Sequence, residues 1–371
     1  MAINKTQMER IHIAFFGPTN SGKSTLVNTI AGQPVSLVSD VPGTTTDPVR
    51  KLIELPGLGP CVLIDTAGLD DTSVLGAERR RLTLSILDET DVAVYVWPNA
   101  VDAPDSGTSS AFADMIRSAD IPVVSYSRGE TVDDLLRRIA AAVPKQEERF
   151  LTGNLVKSGD TVLLVMPQDS EAPKGRLILP QVQVLRELLD RRCNALCCTP
   201  DTLPDALARL KETPDLVITD ASVFRAVDAA LPAGTPLTAF SVLLAAAKGD
   251  IRTFVEGARA IDTLRPDSRV LIAEACTHVP DTEDIGRVKI PALLRGQARH
   301  DEMQIDIAAG NAFPEDLSPY DLIIHCGACM ATSRVVRART RRALLAGVPF
   351  TNYGIALAKL QGILDRIVIP G

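Results

Sequence analysis

Short apolar runs alternate along this chain with stretches whose apolar positions recur every three or four residues. The runs at 12–16, 61–64, 92–97, 161–166, 195–198, 216–219, 270–273, 303–307 and 322–324 predict buried strands. Helical patterns between them include 132–142, with Leu135, Leu136 and Ile139 on its apolar face, and 181–192. Strands separated by amphipathic helices predict an α/β fold with mostly parallel sheets. Charged residues at 144–149 predict one domain junction, and a helical segment ending at Arg265-Pro266-Asp267 predicts another. The expected division is three doubly wound α/β domains over residues 1–149, 150–264 and 265–371.

Composition narrows the class. With 371 residues, 46% hydrophobic and 23% charged, the chain can bury a large core without disulfide staples. A net charge of −7 argues against a nucleic-acid partner held by broad electrostatics. No apolar run approaches the roughly 18 residues of a membrane span, so no membrane partner is expected. The N-terminal residues lack the apolar core of a targeting segment. The seven cysteines are Cys61, Cys193, Cys197, Cys198, Cys276, Cys326 and Cys329. An odd count with an adjacent pair is a poor disulfide framework, which predicts a reducing, cytoplasmic compartment. Cys61, Cys193, Cys197 and Cys198 lie on or beside apolar strands and are expected in the core.

Chemistry enters at Gly17-Pro18-Thr19-Asn20-Ser21-Gly22-Lys23-Ser24, which fits G-x-x-x-x-G-K-S. It follows the strand 12–16 and precedes the helical pattern Leu26, Val27, Ile30. Glycines let successive backbone N–H groups face phosphates, and the helix turns its positive end toward the same anion. Gly17, Asn20, Ser21, Gly22, Lys23, Ser24 and Thr25 form the expected nucleotide cradle. Lys23 would bridge the β- and γ-phosphates, and Ser24 would hold Mg2+. Asp65-Thr66-Ala67-Gly68 ends the strand 61–64, where Asp65 would hold Mg2+ through water and Gly68 would offer its N–H to the γ-phosphate. Between them lies Pro42-Gly43-Thr44-Thr45-Thr46-Asp47, where a threonine hydroxyl, Thr44 or Thr45, would complete the Mg2+ shell. These three elements in this order predict a GTPase-type domain.

The G-x-x-N-x-G-K-S, G-T-T-T-D and D-T-A-G strings resemble the tRNA-modification and ribosome-assembly branch of the translation-factor GTPases. That resemblance implies that Asn20 helps bind a potassium ion assisting hydrolysis, with Lys23, Thr45, Asp65 and Gly68 in the catalytic set. The wider string from Val38 to Val49, Val-Ser-Asp-Val-Pro-Gly-Thr-Thr-Thr-Asp-Pro-Val, resembles the FeFe-hydrogenase maturation GTPases, the HydF-type scaffold proteins. One departure stands out. The guanine-reading N-K-x-D is missing: Asn99-Ala100-Val101-Asp102 lacks the lysine, and Ile121-Pro122-Val123-Val124 runs straight into Ser125-Tyr126-Ser127-Arg128-Gly129. Slow hydrolysis and a weak preference for GTP over ATP are therefore expected.

A second constellation lies near the C-terminus. Cys276-Thr277-His278 is followed, after 46 residues, by His325-Cys326-Gly327-Ala328-Cys329, giving C-x-H…H-C-x-x-C. If the preceding strands are parallel neighbours, these residues meet at the carboxyl edge of one sheet, where open α/β sheets bind ligands. Cys326 and Cys329 are expected at the start of the helix 334–345, whose N-terminus would favour thiolate charge. Buried inert thiols, a Cys3His zinc site and a 4Fe–4S cluster on three cysteines are the three readings.

The C-x-H…H-C-x-x-C pattern resembles the cluster signature of the same maturation family. The segments 172–180 and Asn352-Tyr353-Gly354 also look like that family's. The resemblance then spans almost the whole chain. It implies a homodimerising middle domain and a 4Fe–4S cluster on Cys276, Cys326 and Cys329. His278 or His325 would be a fourth ligand, a hydrogen-bonding neighbour or a group orienting cargo. It also implies GTP and Mg2+ at the first domain, a di-iron precursor cluster as cargo, and apo-hydrogenase and radical-SAM maturases as partners. A ribosome- or tRNA-associated GTPase with a structural zinc site is the alternative, and a nucleotide-binding regulatory module with inert cysteines is a third class. Arg334, Arg337 and Arg341 share one helix face, read as a solvated face or as an attractor for an anionic precursor.

Overall fold

A computed structural model describes residues 10–32, 48–68, 76–97, 116, 119–144, 150–168, 177–275, 284–298, 303–329 and 331–371, with side chains in the helix that begins at residue 76 from residue 82 onward. It divides into two compact units, Met1–Glu147 and Glu148–Gly371.

The first unit runs β1 (Ile11–Phe16), α1 (Lys23–Ala31), β2 (Val49–Leu55), β3 (Gly59–Asp65), α2 (Gly76–Glu89), β4 (Val92–Trp97), β5 (Val123–Ser127) and α3 (Val132–Ala142). Its five-stranded sheet has the order β2-β3-β1-β4-β5, parallel except for β2 against β3. The period of two along β1 sends Ile11, Ile13 and Phe15 toward Leu26 and Val27 of α1 and Leu135 and Ile139 of α3. Ala14 and Phe16 face Ile86 and Leu87 of α2 on the other side. Both faces of the sheet are thus covered, as a mainly parallel sheet requires. Thr131 starts α3: its Oγ1 accepts from Asp134 N at 3.3 Å, and Asp133 and Asp134 occupy the first turn.

The second unit holds two four-stranded sheets. β6 (Thr161–Val165), α4 (Leu179–Asp190), β7 (Asn194–Cys198), α5 (Leu203–Arg209), β8 (Leu216–Thr219), α6 (Phe224–Ala230), β9 (Leu237–Ala239) and α7 (Phe240–Lys248) form one, ordered β7-β6-β8-β9. α8 (Ile251–Ala258), β10 (Arg269–Glu274), α9 (Ile290–Ala298), β11 (Gln304–Ala309), β12 (Leu322–His325), α10 (Ser333–Leu345), β13 (Phe350–Asn352) and α11 (Tyr353–Leu360) accompany the other, ordered β11-β10-β12-β13. All pairings are parallel. Both sheets thus share one order of second, first, third and fourth strand. Each reverses direction of growth between its first and third strands, which is a topological switch point.

One apolar core joins these two sheets. It includes Val165 and Val217 of the first, Ile272 and Ile324 of the second, and Val242 and Phe254 from α7 and α8. α8 lies on β13: a Cβ added at Gly257 would fall 2.1 Å from the Phe350 carbonyl oxygen, so only glycine permits this approach. Among the cysteines expected in the core, Cys61 and Cys193 are buried, but Cys197 is exposed and Cys198 half-buried. β7 is the edge strand of its sheet, with a neighbouring strand on one side only, which leaves it less covered than the central strands.

Candidate functional site

The loop between β1 and α1 is built by backbone geometry that few residue types tolerate. Gly17 has φ +148°, and a Cβ there would lie 2.4 Å from the Val96 carbonyl oxygen. Asn20 is left-handed at φ 60°, a region asparagine enters more readily than most residues, and Gly22 is left-handed at φ 97°. α1 then begins at Lys23. The buried Lys23 ammonium donates to the Gly17 carbonyl at 3.0 Å and the Pro18 carbonyl at 2.7 Å. Asn20 on the loop and Thr25 in the first turn of α1 are exposed.

β3 is the immediate parallel neighbour of β1, which carries Asp65 to the loop. Ser24 Oγ donates to Asp65 Oδ2 at 2.6 Å, and Thr66 Oγ1 donates to the Phe15 carbonyl at 2.7 Å. Gly68 presses directly on the loop: a Cβ there would meet Thr19 Oγ1 at 2.1 Å and its Cα and N at 2.8 Å. Asp65 Oδ1 and Ser21 Oγ are buried without a hydrogen-bond partner. Buried polar atoms are normally satisfied, so two orphaned oxygens in this cradle fit a bound cation and phosphate. Thr44 and Thr45 lie outside the described residues. β5 ends at Ser127, and the turn after it is closed on itself: Ser127 N donates to Glu130 Oε1 at 3.0 Å, while Arg138 pairs with Glu130 and donates to the Ser125 carbonyl at 2.8 Å.

The second site stands at the switch point of the last sheet. β10 and β12 pair in parallel, with Ala273 opposite His325, and β12 and β13 pair with His325 opposite Asn352. The next residues along the three strands are Glu274, Cys326 and Tyr353. Cys326 Sγ accepts from Ala275 N at 3.1 Å and from Ala328 N at 3.4 Å. Ala275 immediately precedes Cys276, so the chain leading to Cys276 touches the Cys326 sulfur. Cys276 and His278 themselves lie outside the described residues. Among the described residues no three His, Cys, Asp or Glu side chains gather as a metal site. Cys329 is exposed. The expectation that a helix start supports both thiols is corrected here. α10 begins only at Ser333, and Cys326 and Cys329 precede it in a turn where Ala328 has φ 50°. Two backbone N–H groups, Ala275 N and Ala328 N, rather than that helix end, point at the Cys326 sulfur.

His325 is fully buried, and both ring nitrogens are engaged. Nδ1 donates to the Cys326 carbonyl at 2.8 Å, and Nε2 lies 3.2 Å from Arg339 Nη1, whose N–H it accepts. Burial first, and then the Arg339 guanidinium, push this imidazole down to about 3, so it is neutral. Arg339 is 4% exposed and spans the site: Nη1 also donates to the Glu274 carbonyl at 3.2 Å, Nη2 donates to the Gly310 carbonyl at 2.7 Å, and the guanidinium covers the Phe313 ring at 4.8 Å. Glu274 is 1% exposed and forms a two-point pair with Arg287, at 2.8 Å from Nη2 and 3.3 Å from Nε. Arg287 sits in a π-helical turn, Ile285–Lys289, capped by Asp284. Sequence reasoning singled out Arg334, Arg337 and Arg341 and missed Arg339 and Glu274. Their only sequence signal was charge at strand-end and helix positions otherwise apolar.

The fold and its first site define a P-loop GTPase-class domain joined to two parallel α/β domains, the last carrying thiols at its switch point. Residues 12–128 match the family described as 50S ribosome-binding GTPase, residues 151–249 the hydrogen maturase F dimerization domain, and residues 252–370 the hydrogen maturase F tetramerization domain. The chain belongs to the hydrogen maturase F family of hydrogenase-maturation GTPases. It is 35% identical over 149 residues to the tRNA modification GTPase MnmE of Methylobacterium radiotolerans, covering 36% of this chain and 33% of that protein. It is 40% identical over 100 residues to GTPase Der of Caldicellulosiruptor saccharolyticus, covering 26% and 23%. The chain thus spans a third or less of these two curated relatives. A solved structure of Era from Aquifex aeolicus bound to GDP and AlF4− is 18% identical, covers 54% of this chain and 98% of that one, and superposes at a TM-score of 0.28.

Proposed function

We propose that this chain is a scaffold and carrier for the di-iron precursor of FeFe-hydrogenase, holding a 4Fe–4S cluster on Cys276, Cys326 and Cys329. The observation that carries the reading is the Ala275 N to Cys326 Sγ hydrogen bond of 3.1 Å at a parallel switch point, in a chain of this family. It sets Ala275, the residue before Cys276, against the Cys326 sulfur, which supports one shared site for C-x-H…H-C-x-x-C. The cysteine donor set fits a thiolate-ligated cluster, and the N–H groups on Cys326 Sγ fit a charged sulfur. Such a cluster supplies an iron with an exchangeable position, suited to accepting and releasing another iron group. His325 holds the Cys326 carbonyl and is itself held by Arg339. We assign it to orienting the C-x-x-C turn, which leaves His278 as the histidine free for the open iron or the cargo.

The first domain binds GTP with Mg2+ on Ser24, Thr45 and Asp65, and K+ near Asn20, and hydrolyses it slowly. Lys23 and the loop amides Gly17 to Thr25 hold the phosphates, and Gly68 reads the γ-phosphate. Nucleotide state biases exchange with apo-hydrogenase and the radical-SAM maturases. The protein self-associates through the second and third domains and works in the cytoplasm. The chain divides into a GTPase domain over 1–149, a dimerisation domain from 150 and a cluster domain at the C-terminal end. The packing of α8 on β13 favours starting the last domain ahead of Ile251 rather than at 265.

The deciding experiment is reconstitution with iron and sulfide without air, followed by an iron count and electron paramagnetic resonance after reduction. A 4Fe–4S signal with about four irons per chain is expected. Stoichiometric zinc and no cluster signal would overturn this reading in favour of a GTPase with a structural zinc site.

A further inference from the structure

Among the described residues, Tyr353 follows the strand position opposite His325, and nothing above uses its chemistry. It opens α11, directly after Asn352, which pairs with His325 across β12 and β13. Its hydroxyl oxygen is buried and has no hydrogen-bond partner. A buried hydroxyl without a partner is costly and rare, and its persistence needs an occupant or a reason. Where the hydroxyl rests is equally specific. A Cβ added at Gly286 would lie 1.9 Å from it and 2.6 Å from the ring carbon that bears it, so the glycine is what leaves the phenol its place. Gly286 belongs to the π-helical turn Ile285–Lys289, a form frequent at functional sites. That turn is fixed to the end of β10 by the buried Glu274–Arg287 pair. Three elements therefore converge on one buried, unpartnered hydroxyl at the strand edge that also carries Cys326. Burial first, then the nearby Cys326, Glu274 and Asp284 charges, hold the phenol well above its usual range. An ordinary phenol is protonated at neutral pH in any case, so the group is a proton donor.

We propose that the Tyr353 hydroxyl, seated over Gly286, donates a hydrogen bond to the sulfur side of the cluster on Cys276, Cys326 and Cys329 and raises its reduction potential. The proposal rests on the cluster reading above. Tyr353 is a positioning and tuning residue, not an iron ligand. Hydrogen bonds to cluster sulfurs are among the determinants of potential, because they stabilise the more negative, reduced state.

The test is an electron paramagnetic resonance redox titration of the reconstituted full-length protein, comparing wild type, Tyr353→Phe and Gly286→Ala. Tyr353→Phe should keep its iron content and elution volume. Its midpoint should fall by about 59 mV, which is tenfold in the reduced-to-oxidised ratio for one electron. Gly286→Ala, which displaces the hydroxyl, should move the midpoint the same way. An unmoved midpoint in Tyr353→Phe overturns the proposal, as does loss of the cluster, which would make the phenol a ligand or a structural support. An unmoved midpoint in Gly286→Ala removes the glycine from the account. Absence of a cluster in wild type overturns the cluster reading itself, and is thereby distinct from these outcomes.

Discussion

Gly68 and Gly286 act alike at two chemically unrelated sites: each yields the volume of a methyl group so that a functional segment can sit close. At Gly68 the segment is the phosphate loop, with Thr19 inside the radius of any side chain. Gly68→Ala should therefore push the end of β3 off the loop and weaken nucleotide binding or turnover by tenfold or more, about 1.4 kcal/mol. Melting temperature should change little, because the site lies at the sheet's rim. Equilibrium binding of a fluorescent guanine nucleotide, with circular dichroism as control, checks both. The phosphate loop and the C-x-x-C were legible from sequence because each is contiguous and follows a strand. The supporting set of Glu274, Arg339, Tyr353 and Gly286 was not. Those residues meet only through the β10-β12-β13 register and the π-helical turn, and nothing local in the chain announces that meeting.

At the scale of elements, three of the strands that sequence reasoning omitted have identifiable causes. β9 and β13 have three residues each, too few for a period to register. β2 breaks its own alternation, with Lys51 half-buried on the inner side and Leu52 52% exposed on the outer. The turn after β5 bears on specificity. Its polar groups are spent on one another through Glu130 and Arg138, and the string N-K-x-D is absent from the chain. GTP and ATP should then bind within about tenfold of each other in competition titrations. A preference well above that would mean that another segment reads the base. α4 carries a different surplus. Val184 and Leu188 face its core, while Leu179, Val182 and Leu189 are exposed, Val182 at 46% and Leu189 at 54%. A stripe of this kind on a dimerization domain is the surface we expect to pair. Val182→Glu with Leu189→Glu should raise the dissociation constant of self-association by about two orders of magnitude, about 2.7 kcal/mol. Analytical ultracentrifugation over a concentration series reads this out, and an unchanged constant would place the interface elsewhere.

For the whole molecule, the informative fact is that the second and third sheets share one strand order but differ at their switch points. The second sheet's switch point, between β6 and β8, carries Thr219, whose Oγ1 donates to the Val165 carbonyl at 3.0 Å, and Asp220, which accepts from Gln181 Nε2 at 2.9 Å. The third carries thiols. One topology thus serves as a packing module in one place and, in the proposed function, as a ligand edge in the other, and the two share a continuous apolar core. The nucleotide machinery falls in the other compact unit. That separation predicts independence under mutation. Lys23→Ala removes the ammonium from the loop and should abolish nucleotide binding, while iron content and the reduced cluster signal stay at wild-type values. Cys326→Ser removes the sulfur that Ala275 and Ala328 support, and should eliminate the cluster while nucleotide affinity stays within about twofold. Measuring all four quantities on both variants closes the square. If either substitution abolishes both activities in a protein that still folds, the two sites are one cooperative unit and nucleotide turnover must act through the cluster domain's own stability. If each removes only its own, coupling is confined to partner exchange, where the nucleotide changes which surface a partner meets rather than how the iron is held.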